Sequence, residues 1–198
     1  NNLDTTQWTD ALDAYTTKID LWIEGFRQNA LLGKAADGTT TMQIDYQIPV
    51  SAVKAQLKQM VLDLLADTTL LGNLKTLLSA DDAARYLDPA MQAYYFYAID
   101  ALPLTGDLTI ARTVSLKGDT LALTLQLPLY DSLGKAMTLS YDRQTGGGDL
   151  PDENTIELAS DQTHLKVVYQ TYKTLTDTTV YQGTLLRVPL GTETFEVG

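Results

Sequence analysis

The sequence has no cysteine, a single histidine, and only 14 lysines and arginines against 25 acidic residues. Without cysteine there can be no disulfide, no thiolate nucleophile, no cysteine-ligated zinc and no iron–sulfur cluster. One histidine, His164, cannot build a multi-histidine zinc site. It is also the only imidazole on which a serine triad could draw. A net charge of −11 with no basic run argues against nucleic acid and anionic membrane surfaces, because both are bound by clustered cations that displace counterions. No apolar stretch approaches the roughly 20 residues needed to cross a bilayer as a helix. No phosphate-cradling loop or dinucleotide fingerprint occurs, and no cofactor is expected.

What is present reads as one domain over residues 1–198, of α+β class. At this length roughly 70% of the unfolded chain's surface is buried on folding. Apolar residues recur from Trp8 to Val197, so wholesale disorder is not expected. Residues 1–103 read as a mainly helical layer and 104–198 as an antiparallel β layer.

In the first layer, Trp8, Leu12, Tyr15, Ile19, Trp22 and Phe26 step by four and three. The spacing predicts one long amphipathic helix from Gln7 to Leu32, ended by Gly33. Thr41 to Ile48 alternates apolar and polar residues, which predicts one early strand stopped by Pro49. Helices follow from Ser51 as N-cap to about Ala66, and over Thr69–Leu78, Ala80–Leu87 and Pro89–Ala101.

From Leu104 the period changes to two. Leu108 to Leu116 and Leu121 to Leu127 flank Gly118-Asp119, a hairpin signature. Further strands are expected at Met137–Tyr141, Thr155–Leu158, His164–Tyr172, Thr179–Val188 and Thr194–Val197. That makes six or seven antiparallel strands with one apolar and one polar face, the helices supplying the cover. Such a curved sheet under helices can leave a cavity between the layers. In this outline the plan is similar to bacterial lipoprotein-carrier half-barrels, although the run of helices between the first strand and the hairpin departs from that family's order. The similarity is one of fold alone.

Several constellations are candidates for chemistry. Ser51-Ala52-Val53-Lys54 and Ser132-Leu133-Gly134-Lys135 fit the S-x-x-K pattern of serine acyl-enzymes, but no S-D-N or K-T-G partner accompanies them, so Ser51 reads as a helix cap. Asp10, Asp13, Asp81 and Asp82 sit in expected first turns of helices, where a carboxylate suits the dipole. Asp149, Asp152 and Glu153, with Asn154, form the densest oxygen cluster, on a loop that begins at Gly146-Gly147-Gly148, and are the candidate ligands for a hard cation such as calcium. Tyr94, Tyr95, Phe96 and Tyr97, with Tyr86 and Met91 nearby, put rings on almost every side of one helix. Tyr86, Met91, Tyr94, Tyr95 and Tyr97 are therefore the candidate ligand-binding residues.

The sequence alone does not specify a function. The reading it favours is a non-catalytic binding or interaction domain of an exported or cell-envelope bacterial protein, engaging a protein partner, an apolar ligand or a glycan. Cysteine absence and threonine-rich strands motivate the compartment. The start at Asn1 rather than Met suggests that a preceding piece, such as a leader, was removed or lies outside this chain. The alternatives are a carboxylate-dependent glycan-processing enzyme, whose two acids would have to face each other across a cleft, and a structural module of a longer surface protein.

Overall fold

A computed structural model describes residues 5–147, 150–160, 164–173, 179–188 and 191–197. Two compact units are built from interleaved segments: the chain up to Gly25 with Val50–Leu102, and Phe26–Pro49 with the chain from Pro103 onward.

The first unit is helical. It comprises α1 (Thr5–Glu24), α2 (Val50–Ala66), α3 (Thr68–Leu77), α4 (Ala80–Tyr86) and α5 (Gln92–Asp100), with a 3-10 turn at Pro89–Met91 leading into α5. Asp67 and Ser79 cap α3 and α4, their side chains accepting the backbone N–H of Leu70 and Asp82. Asp88 does the same for Ala90 at the start of the 3-10 turn, where proline costs no hydrogen bond. No helix of the described residues is long and apolar enough to cross a membrane.

Two expectations are corrected here. The first helix ends at Glu24, not Leu32. Gly25 closes the last turn with its N–H on the Trp22 carbonyl, and Arg27–Lys34 forms a strand, β1. Past Phe26 the three-and-four stepping stops, and the Leu31-Leu32 pair suits either periodicity. The backbone ladder with the next strand then decides. Second, Ser51 is not the N-cap, because α2 begins one residue earlier; Ser51 is an exposed residue of its first turn.

The second unit is a nine-stranded antiparallel meander, β1 to β9 in chain order. After β1 come β2 (Thr40–Ile48), β3 (Leu108–Ser115), β4 (Thr120–Tyr130), β5 (Ala136–Gln144), β6 (Asp152–Ser160), β7 (His164–Lys173), β8 (Thr179–Val188) and β9 (Gly191–Val197). The seven strands expected of the C-terminal half are present as an open sheet, and the class is α+β. The sheet gains a strand beyond expectation in β1. Residues 152–154, expected in a loop, belong to β6.

Register explains the two faces. Directly opposed residues share a face, and Tyr46, Ile110, Leu125, Tyr141, Ile156 and Val167 are opposed in succession across six strands. One residue along, the opposite face carries Gln47, Thr109, Gln126, Ser140, Glu157 and Lys166 in the same way. Ile44, Tyr46, Ile48, Ile110, Val114 and Met137 are buried, Ile48 completely.

The first three described hairpin turns share one design. In each, residue one and residue five close the loop, and a glycine at residue four donates back to residue one. Ala35, Ser115 and Asp131 donate to Thr39, Asp119 and Lys135, and Gly38, Gly118 and Gly134 return the bond at 2.9–3.0 Å. The three glycines have φ of 85°, 92° and 74°. This is a three-residue loop with a left-handed fourth position, where glycine alone avoids the Cβ penalty. Ser132 to Lys135 is therefore a turn.

Candidate functional site

The helical unit carries an open concavity of about 690 Å³. α1 contributes Tyr15, Thr16 and Ile19. α2 contributes Leu57, Met60, Val61 and Leu64, and α3 contributes Leu70. Tyr95, Ala98 and Ile99 of α5 complete it with Leu102 just beyond. Each set follows the one-face spacing of a helix, most clearly 57, 60, 61 and 64 on α2 and 95, 98 and 99 on α5. Of these walls only Leu70 and Ile99 are buried; the remainder are half-buried or exposed. An apolar concavity of this size, left uncovered by its own side chains, is the ordinary form of a small-molecule site.

Polar groups are few and sit at identifiable places. The Tyr95 hydroxyl donates to the Tyr86 carbonyl, which fixes the ring along the wall. Tyr15 belongs to the wall on α1. Burial first, and then the nearby Asp67 and Asp63 carboxylates, raise this phenol above its ordinary pKa. Lys18 lies 5.3 Å over the Tyr15 ring and pairs with Asp63 at 3.2 Å. Gln59 donates to the same carboxylate at 2.8 Å. On α2, Lys54 donates to the Asp100 carbonyl at 2.7 Å and Lys58 pairs with the Asp100 carboxylate at 2.7 Å. Both cations thus serve the C-terminus of α5, where helix carbonyls lack partners, and Lys54 is not poised to activate Ser51.

The candidate ring residues divide. Tyr95 lines the cavity. Tyr94 meets it edge-on, with ring centres 6.0 Å apart, yet is 61% exposed, and Tyr97 is 73% exposed. Tyr86 is 45% exposed, and Met91 lies half-buried in the 3-10 turn. Of the four rings of α5, one lies on the cavity, two are in solvent, and Phe96 is half-buried with Lys58 Nζ 5.4 Å over it. Most of the cavity wall, the Leu-Met-Val face of α2 and the Tyr15 face of α1, went unmarked in the sequence because such spacing equally describes ordinary core.

Of the candidate cation ligands, Asp152 and Glu153 lie on opposite faces of β6. Asp149 lies outside the described residues. Asp152 accepts from Arg143 at 2.6 Å and from the Gly146 N–H at 3.0 Å, while the neighbouring Glu153 projects from the opposite face of β6 and is exposed. Among the described residues no group of three or more acidic or histidine side chains could hold a metal ion.

On the apolar side of the sheet, sequence reasoning missed a polar cluster. Buried Asn154 accepts from the Tyr141 hydroxyl at 2.8 Å, beside the Arg143–Asp152 pair. It was invisible because its members come from different strands and are aligned only by register. His164, at the start of β7, has Nε2 2.7 Å from Glu157 Oε1, with Lys166 Nζ at 3.7 Å from the same carboxylate. Residues 161–163, just before it, lie outside the described residues. Asp81 and Asp82 occupy the first turn of α4, where Asp82 accepts from Ser79 Oγ at 2.7 Å.

Comparison with protein-family models, with curated proteins and with solved structures finds no match.

Proposed function

We propose that this protein is a non-catalytic binding protein that takes an apolar ligand into the cavity of its helical unit. The observation that carries this reading is a 690 Å³ concavity whose aliphatic walls stay accessible. Leaving such surface against water is unfavourable by roughly 25 cal/mol for each Å², so an occupant gains what the fold forgoes. The chemistry of the wall narrows the ligand. It is built of Leu, Ile, Val, Met and Ala, with two tyrosines and one threonine. Because aliphatic side chains make up most of the wall, a flexible aliphatic body fits it well. We place the protein outside the cytoplasm or in the cell envelope, on the composition given above.

The test uses N-phenyl-1-naphthylamine, a neutral dye that fluoresces in apolar surroundings. Saturable binding of one dye per chain, reversed by dodecanol, is the expected result. Linear, unsaturable uptake together with no retained mass in native mass spectrometry of freshly purified protein would overturn the reading.

A further inference from the structure

β1 is the first strand of the meander and, among the described residues, pairs with β2 alone. Its other edge therefore carries backbone groups that no strand takes. The phase of the ladder tells which they are. The Ala35 N–H bonds the Thr39 carbonyl, and bonded pairs alternate with unbonded ones along an antiparallel ladder. Gly33, Leu31 and Asn29, opposed to Thr41, Gln43 and Asp45, thus spend their N–H and C=O groups on β2. Ala30 and Leu32 turn theirs outward. Every residue of the strand is exposed, Leu31 by 58% and Leu32 by 77%. Open edges are ordinarily blunted by charge, proline or a bulge. Here the bulge between Arg27 and Asn29 and the lysine at position 34 stand at the two ends, and the stretch between them has no such device.

We infer that this edge joins two copies of the chain, β1 against β1, antiparallel about a two-fold axis at Leu31. Outward residues must oppose outward residues, which leaves three axes near the middle of the strand. An axis at Ala30 would set the two leucines against Asn29 and Gln28, and an axis at Leu32 would set Ala30 against Lys34. An axis at Leu31 sets Leu31 against its own copy and Leu32 against Ala30, a large side chain over a small one. Each pair of Ala30 with Leu32 then exchanges both N–H···O bonds, and the unbonded Leu31 pair brings its side chains closest. Charge favours the same edge. At −11 the chain repels its copies over most of its surface, but β1 holds Arg27 and Lys34 and no acid, and in this register neither cation opposes the other. A single strand edge buries less than the roughly 1,200 Å² of a standard interface, so the dimer is weak and reversible.

The test exploits the absence of cysteine, which makes one introduced thiol the only one in the chain. Leu31→Cys, Leu32→Cys and Leu133→Cys, the last at a turn position that is 76% exposed and outside the edge, are oxidised with copper phenanthroline under the same conditions. A disulfide needs Cα atoms within about 7 Å. Position 31 meets its own copy inside that limit, whereas position 32 lies diagonal to its copy and beyond it. Leu31→Cys is expected to form covalent dimer at least about tenfold faster than either other variant. Sedimentation velocity over a concentration series adds a readout without oxidation. The parent is expected in monomer–dimer exchange, Leu31→Glu monomeric because it opposes two carboxylates at the axis, and Leu133→Glu, the same charge change elsewhere, still dimerising. Equal crosslinking at 31 and 32 or a Leu31→Glu that dimerises like the parent would overturn the two-fold pairing. Growth beyond the dimer, as pairing of β1 with the β9 edge of the next copy would give, would do the same. So would a parent that stays monomeric at every concentration, which would leave the edge to a strand of another protein.

Discussion

Tyr141 donates its hydroxyl proton to Asn154 Oδ1 at 2.8 Å, joining β5 to β6 on the apolar side of the sheet. Burial, and then the neighbouring Tyr169, hold the phenol above its ordinary pKa, so the group is a donor at any physiological pH. Asn154 is itself buried and has two further long contacts, to the Asp152 carbonyl and the Thr171 hydroxyl. Because buried polar groups cost most when one partner is removed, Asn154→Ala should destabilise the protein by about 1–3 kcal/mol. Tyr141→Phe should cost less, and the double variant less than the sum of the two. Urea denaturation of the four proteins measures the coupling; strict additivity would show that the bond contributes nothing.

The hairpin glycines separate backbone strain from crowding. A Cβ built on Gly38, Gly118 or Gly134 meets nothing within 4 Å, so alanine there has room and suffers only from its left-handed φ. Each Gly→Ala change should cost about 1–2 kcal/mol, and Gly→Asn clearly less, since asparagine visits that region more readily. If thermal melts of Gly118→Ala and Gly118→Asn coincide with the parent, the left-handed assignment at this turn is wrong.

The turn chemistry also marks how far the sequence can be read. Gly118-Asp119 announces its hairpin because glycine at that offset has a conformational reason to be there, and the alternation from Leu108 to Leu127 fixes which face is apolar. Residues 27–34 resist the same reading. Gln28-Asn29-Ala30-Leu31-Leu32 has no alternation, and every residue of β1 is exposed, so no burial pattern constrains it and only pairing with β2 makes it a strand. The cavity lies at the opposite extreme. Its spacing is fully legible as helix faces, but Leu57, Met60 and Val61 would be written the same way if they were close-packed. The difference between core and cavity is a few ångströms in how helices are spaced, and no residue type encodes it.

Asp63 links the helical unit's stability to pH. The Gln59 amide first, and Lys18 second, hold its carboxyl below the usual range. A group whose pKa falls on folding stabilises the fold above its unfolded value, about 3.9, and that contribution vanishes as pH drops through the lower folded value. Asp63→Asn should therefore weaken the protein at pH 7 and flatten its loss of stability below about pH 4. Denaturation midpoints at pH 7, 5 and 3 test this. Parallel curves for the two proteins would exclude Asp63 as a contributor.

The cavity can be tested by filling it. Ala98 faces the space from α5 between Tyr95 and Leu102 and is still exposed, so a larger side chain has somewhere to go without displacing a neighbour. In a close-packed core, Ala98→Phe would force strain of about 1–3 kcal/mol. Here the ring should cover apolar wall that water now reaches, with a transfer gain set against the modest loss of helix propensity on replacing alanine. The expected outcome is an unchanged or higher melting temperature combined with at least a tenfold loss of N-phenyl-1-naphthylamine affinity. The pairing of the two readouts is what discriminates. A lower melting temperature with unaltered dye binding would mean that position 98 is packed and the ligand sits elsewhere. Loss of both would mean that the variant misfolds, in which case Leu57→Phe, entering the same space from α2, repeats the test from the opposite wall.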